Sequence, residues 1–327
     1  MKPSLNRRDF IAVTSSLAAA AALTRPARAA EAAPSAFKTV LKKAMIVGGA
    51  PTAAQLEEFK AAGFDGVEAG VAGLEEAAAS RRAAEKLGMR VHSVLRGWAE
   101  FNSDDPRKFE DSFAATEKAL RAAQAFGADA VLLVPCRIGG MPMPRAWEFL
   151  IDFDPANGRI RRVTAGDNGP FKAYIDAHNH ATETSREAVK RLIPLAERCG
   201  VVIALENVWN NLWVQPAIFR NFIASFQSPW VKAYFDIANH VKYGHPEEWI
   251  LTLDELLAKL HVKEFKINPA DPRGEGEWPQ IRDGSVRWPV VRHALERVNY
   301  NGWLTIEDGR LPLEELSKRL DLIIAGK

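Results

Sequence analysis

From Lys43 onward the sequence alternates short apolar runs with longer amphipathic stretches, eight times over. A strand buried on both faces must be apolar along its length, and a parallel neighbour is reached only through a crossover helix. This rhythm therefore points to a parallel α/β fold. The expected strands are Ala44–Val47, Gly66–Ala69, Arg90–Val94, Ala130–Val134, Val201–Glu206, Val231–Asp236, Leu260–Lys266 and Trp303–Glu307. Helices are expected over Thr52–Ala62, up to Lys86, over Pro106–Phe126, Ser185–Arg198 and Leu313–Ile324. Gly63, Gly88, Gly127 and Gly200 stand at the C-cap positions of four of them. Eight strand–helix units in one domain spanning residues 43–327 give a (β/α)8 TIM barrel. An open doubly wound sheet would want a Gly-rich phosphate loop after its first strand, and Gly48-Gly49 is too little for that. With 47% hydrophobic and 26% charged residues, the chain of 327 carries enough apolar material for one large core.

The N-terminus reads differently. Arg7-Arg8 and Phe10 precede an Ala-rich apolar run from Ile11 to Leu23, followed by Ala27-Arg28-Ala29, a small-x-small cleavage pattern. The paired arginines resemble a twin-arginine signal, so residues 1–29 are expected to direct export to the periplasm through the twin-arginine machinery. The run is too short and too rich in alanine for a stable membrane anchor. Residues 30–42 are expected to be a linker. The formal charge is +2 for the whole chain. Residues 1–29 hold five basic residues and one acid, so the remainder is near −2 (2 − 4). That balance offers no basic stripe for phosphates and excludes nucleic acid as a partner. Cys136 and Cys199 would lie at opposite ends of the barrel, too far apart for a disulfide, and are expected as free, buried thiols.

One connection is abnormally long. Residues 136–184, between the fourth strand and its helix, are rich in Gly, Pro, Asn and aromatics. The expected role is a lid or pocket wall, with a hairpin around Asn157-Gly158; an oligomer contact is the alternative.

The chemistry is carried by acids that end apolar strands. Leu205 runs into Glu206, Phe235 into Asp236 and Ile306 into Glu307, and His261 follows Leu260. Buried charges need partners, and barrel active sites sit at the strands' C-terminal ends. Three carboxylates and one imidazole at one rim make an oxygen-rich site for a single divalent metal ion. Such a set suits Mn2+, then Co2+ or Mg2+, better than a structural zinc, although Zn2+ is also compatible.

The stretches Leu205-Glu206-Asn207-Val208-Trp209-Asn210, Phe235-Asp236-Ile237-Ala238-Asn239, His261-Val262-Lys263-Glu264 and Gly302–Glu307 resemble the sugar phosphate isomerase/epimerase family, whose fold is the xylose isomerase-like TIM barrel. The resemblance implies Glu206, Asp236, His261 and Glu307 as metal ligands, with Glu206 and Glu307 also exchanging a proton with the substrate. Two departures stand out. Glu264 replaces an Asp common in the family's His-x-Lys-Asp, and Asp236-Ile237-Ala238-Asn239-His240 leaves open whether Asn239 or His240 faces substrate.

Lys263 would share a strand face with His261 and stabilise an oxyanion or pair with a carboxylate. Glu68 would orient a substrate hydroxyl or pair with a lysine, and His92 would line the pocket or the core. Trp98, Trp209 and Trp213 fall just past strand ends, where they would stack on a sugar or pack internally. His178, Asn179 and His180 in the long connection are further candidate ligands; His245 and His293 are expected at the surface. Residues 268–284 are expected to form a second active-site loop.

The expected activity is a metal-dependent isomerase or epimerase working through an enediolate on a free sugar or sugar derivative. A lyase or deglycosidase acting on a keto-sugar glycoside uses the same first proton transfer. A sugar-binding barrel without catalysis is the third reading. A small-molecule carbohydrate is the expected partner in each, and the sequence is compatible with a homo-oligomer. A DNA-repair nuclease would need more histidines at strand ends.

Overall fold

In the computed structural model, residues 37–271, 276–307 and 309–327 are described, and the expected export signal lies outside them. The barrel strands are β1 (Leu41–Ile46), β2 (Gly66–Gly70), β3 (Arg90–Trp98), β4 (Ala130–Val134), β7 (Val202–Glu206), β8 (Val231–Asp236), β9 (Leu257–Val262) and β12 (Gly302–Ile306). They close in the order β1-β12-β9-β8-β7-β4-β3-β2, and the recorded barrel pairings are parallel. The helices are α1 (Ala53–Ala61), α2 (Leu74–Lys86), α3 (Pro106–Phe126), α4 (Lys172–Cys199), α5 (Pro216–Ala224), α6 (Pro246–Leu253), α7 (Trp288–Arg297) and α8 (Leu313–Ile324). The antiparallel pairs β5 (Asp152–Phe153) with β6 (Ile160–Arg162) and β10 (Lys266–Ile267) with β11 (Gly276–Glu277) stand outside the barrel. Among the described residues no helix is long and apolar enough to cross a membrane.

Period-two alternation sorts the strand residues into two cores. Val131, Leu133, Ile203, Leu205, Phe235, Leu260 and Ile306 pack outward against the helices. Ala130, Leu132, Val134, Ala204 and Tyr234 form a small separate cluster inside the cylinder. Glu206, Asp236 and His261 therefore point inward, because each adjoins a residue of the outward set.

Several expected boundaries move. The first strand starts at Leu41, and the chain before it is docked: the amides of Lys38 and Thr39 donate to Glu296 and that of Val40 to Asn301. The buried Arg292 clasps both chain ends, donating to the Thr39 hydroxyl at 2.9 Å and to the Ile324 carbonyl at 3.0 Å. The seventh strand begins at Leu257 and stops at Val262.

The larger change is α4, which begins at Lys172 and not at Ser185. Its buried face runs through Tyr174, His178, Ala181, Ser185, Ala188 and Leu192, spaced four or three apart. Histidine and serine at core positions concealed this stripe. The irregular connection is correspondingly shorter, and it does turn back on itself as a hairpin across Asn157-Gly158. Cys136 and Cys199 are free. Cys136 is buried against the Ser185 hydroxyl, and burial pushes its thiol up to about 12. Cys199 is only half-buried, contrary to expectation.

His178 serves the backbone. Its Nε2 accepts from the Trp213 amide at 3.2 Å, and Trp213 has a left-handed φ of 49° that a bulky residue adopts only under constraint. Burial lowers the His178 pKa to about 3. A base whose folded pKa lies below its unfolded value near 6.5 gives stability that is present above 6.5 and lost as pH falls toward 3. At pH 5 the loss from this residue is about 2 kcal/mol. The urea midpoint should fall between pH 7 and pH 5, and His178→Gln, which keeps an acceptor, should flatten that fall. An unchanged pH slope in the variant would contradict this role.

Candidate metal centre

The inward phase of the strands brings four side chains together at the C-terminal mouth. One donor atom from each of Glu206, Asp236, His261 and Glu307 lies within 4.8 Å of the other three. Glu206, Asp236 and His261 are buried, and Glu307 is on the solvent side. His261 Nδ1 is 3.3 Å from Glu206 Oε1 and 3.8 Å from Glu307 Oε2. Lys263 Nζ is 2.5 Å from Glu307 Oε2 and 3.3 Å from Asp236 Oδ2.

The charges strain against one another. Burial raises the Asp236 pKa to about 7, with repulsion from Glu307 and Glu206 adding to it and Lys263 opposing it. Burial also raises Glu206. For His261 burial lowers the pKa, but the Glu68 and Glu206 carboxylates outweigh it and hold the ring well above its ordinary value. Burial raises Glu307, but His261 and Lys263 leave it lowered overall. Asp236 Oδ1 accepts from the amides of Ala238 and Asn239, while its buried Oδ2 has no hydrogen bond. A buried carboxylate oxygen without a hydrogen bond, two further carboxylates and one imidazole nitrogen fit a hard divalent cation.

The residues behind the cluster are mostly those expected to touch substrate, and the structure engages several of them with protein partners. Glu68 is fully buried; it accepts from His261 Nε2 at 2.6 Å and from the Ser93 hydroxyl at 2.8 Å. It orients the imidazole so that Nδ1 faces the cluster, the usual carboxylate–histidine support of a metal ligand. Asn239 is buried and braces the wall: its side chain donates to the Asn207 carbonyl at 3.0 Å. The Asn207 side chain in turn holds the Asp236 backbone on both sides. His240 is buried against Trp249, with Nε2 3.1 Å from the Val208 carbonyl, and burial lowers its pKa to about 3. His92 is a core residue, bonded to the Thr305 hydroxyl and stacked on Trp303 at 4.4 Å.

Trp209 is half-buried, donates its indole N–H to the Asn239 carbonyl and carries Lys242 over its face. Asn179 and His180 lie on α4 and bond to Ile160 and Asn102, and with His178 they stand outside the four-residue cluster. Trp213 is buried and stacked on Phe222 at 4.1 Å. Lys263 does pair with carboxylates.

Sequence reasoning missed what holds the second loop over the site. A cavity of about 200 Å³ is lined by Lys263, Glu264, Trp278, Pro279, Glu307 and Arg310. Glu264 is buried and accepts four hydrogen bonds, from the amides of Phe265, Arg282 and Val286 and from Trp288 Nε1. All the acceptor capacity of one carboxylate is spent on closing this loop. Arg310 donates to the carbonyls of Trp278 and Pro279. A Cβ on Gly284 would meet Glu264 Cγ at 2.4 Å, so this glycine is required for space. The substitution of Glu for Asp after His-x-Lys was the available signal, and it is matched by a missing side chain at position 284.

A family model described as the xylose isomerase-like TIM barrel matches residues 56–323. No curated protein matches the sequence. Among solved structures the chain is similar to a xylose isomerase domain protein from Planctomyces limnophilus, at 17% identity over 88% of this chain and 97% of that one, TM-score 0.63. It is also similar to 3-keto-D-glucoside 4-epimerase from E. coli, at 14% identity over 86% and 98%, TM-score 0.61. The third is D-psicose 3-epimerase from Clostridium cellulolyticum H10, at 16% identity over 86% and 98%, TM-score 0.62. At these identities the likeness is one of fold.

The Glu264–Gly284 contact predicts a coupling. Gly284→Ala alone should cost about 1–3 kcal/mol through overpacking. In a Glu264→Asp background, where the chain is one methylene shorter, that cost should shrink by at least about 1 kcal/mol. Strictly additive urea-unfolding energies in the double-mutant cycle would remove the steric account.

Proposed function

The chain belongs to the xylose isomerase-like TIM-barrel family, and from that premise we propose that it is a divalent-metal-dependent sugar isomerase or epimerase. The observation that carries this reading is the convergence of four donor atoms within 4.8 Å, two of them on the carboxylates Glu206 and Glu307. The sugar epimerases among the similar folds support it, and because one fold hosts many chemistries the site carries more weight than the likeness.

Glu206, Asp236, His261 and Glu307 would hold the cation, and the oxygen-rich set ranks Mn2+ first, ahead of Co2+, Mg2+ and Zn2+. When bound, such an ion supplies Lewis-acid polarisation of a sugar carbonyl, which acidifies the neighbouring C–H. The rest falls to the side chains. Glu206, whose pKa burial has raised, is suited to take that proton, leaving an enediolate. Glu307, paired with Lys263 at the mouth, would return a proton drawn from solvent to the opposite face of that carbon, and Lys263 keeps its charge beside it. The Lys263 ammonium is also positioned to donate to an oxygen that gains negative charge. Glu68 fixes the His261 ring throughout. Trp278 and Pro279, which line one cavity with Lys263 and Glu307, would keep bulk water from the enediolate. The same reading makes this an exported protein, on the strength of Arg7-Arg8 and Ala27-Arg28-Ala29.

The test uses the mature protein loaded with Mn2+ and a panel of free ketoses and keto-sugar glycosides in D2O. Deuterium should enter at the carbon beside the carbonyl. Glu206→Gln should slow that exchange by about 100-fold or more and reduce the metal retained after dialysis. Full exchange by the variant would refute the assignment. Release of an aglycone without exchange would turn the reading toward a lyase.

A further inference from the structure

A second compartment lies on the same rim, and no residue in it has a role in the metal centre. It is a cavity of about 360 Å³ lined by Trp98, Ala99, Glu100, Asn102 and Arg137. Trp98 ends β3 with 43% of its surface exposed, an unusual position for so large an aromatic. Arg137 lays its guanidinium over the indole, 4.1 Å from the ring centroid. No acceptor among the described residues is paired with that guanidinium. Stacking fixes the plane of an arginine while leaving its N–H edge available to ligand oxygens.

The compartment is tied to the metal centre. Trp98 pairs in register with Val134, and Leu133 pairs with Leu205, so Trp98 stands level with Glu206 two strands away. Two interstrand steps put their backbones about 10 Å apart. Arg137 is held from both sides by the loop that follows Glu206. The Cys136 carbonyl accepts from Asn210 Nδ2 at 3.1 Å, the Ile138 amide donates to the Asn210 carbonyl at 3.1 Å, and the Ile138 carbonyl accepts from Asn211 Nδ2 at 2.7 Å. The Arg137 carbonyl itself accepts from Asn102 at 2.9 Å. Glu100 is turned to Lys108 at 3.0 Å, which reduces its repulsion of an oxygen-rich ligand.

We propose that Trp98 and Arg137 form the subsite for a second ring, so that the substrate is a glycoside whose metal-bound ring carries a ketone, and not a free monosaccharide. This rests on the sugar-handling reading of the metal centre. The first ring reaches the cluster, and the ring across the glycosidic bond packs against the part of Trp98 that Arg137 leaves exposed, while the N–H edge of Arg137 donates to its oxygens. An aryl or sugar ring meets the indole face through its own flat surface.

The experiment is calorimetric binding to the Mn2+-loaded mature protein, comparing methyl with 4-nitrophenyl glycosides of glucose, galactose and mannose in both anomers. For at least one sugar the aryl glycoside should bind about tenfold more tightly than its methyl counterpart. Trp98→Ala should bring that ratio to within about twofold of one, and Arg137→Met should lower it by a smaller factor. Both positions are surface-facing, and the variants' thermal midpoints confirm folding. Equal binding of aryl and methyl glycosides, or an undiminished ratio in Trp98→Ala, overturns the subsite and leaves the metal-centre reading intact. Absence of binding by every glycoside, together with absence of deuterium exchange on free ketoses, overturns both.

Discussion

Three carboxylates cannot occupy one small, largely buried volume unless positive charge is set among them. At about 4 Å, two like charges repel by about 4 kcal/mol even at the effective dielectric of a protein surface. His261 and Lys263 supply the compensation from a single strand face, and Glu68 anchors the imidazole from the far side of the cylinder. The raised pKa values of Asp236 and Glu206 follow from burial first and from the same crowding second. A doubly charged cation would answer this demand better than any protein side chain, and that is the physical reason the mouth suits one.

Much of this was legible in the sequence because strand alternation is rigid. Once Leu205, Phe235 and Leu260 are assigned to the helix-facing side, their neighbours Glu206, Asp236 and His261 have no direction left but inward, and Glu307 follows just past the end of β12. The barrel itself was legible for the same reason. What the sequence concealed were contacts whose meaning depends on the third dimension. Glu68 reads as an isolated acid after Val67, and only closure of the barrel brings it to His261 across several strands. His92, Asn239 and His240 read as polar groups near strand ends, yet each is satisfied inside the wall. Polarity near a mouth is therefore a weaker guide to ligand contact than an acid ending an apolar strand.

The long connection after β4 shows a different failure. Its helix was hidden because the stripe from Tyr174 to Leu192 uses histidine and serine at core positions, and residue type alone scores these as polar. His178 earns its buried place by accepting from a backbone amide held in a strained conformation, and Ser185 by meeting Cys136. The second loop shows the converse. Glu264 looked like a conservative replacement for aspartate, whereas its extra methylene reaches donors from Phe265 to Trp288 and clears the space that Gly284 leaves empty.

The Arg292 clasp has a consequence for presentation. It gathers Thr39, at the entry to the barrel, and Ile324, at its exit, on the floor of the cylinder, and Phe37 lies over the same guanidinium at 3.7 Å. Entry and exit thus leave from the face opposite the carboxylate mouth. The Thr39 entry and the Ile324 end of α8 therefore leave the carboxylate mouth itself unobstructed.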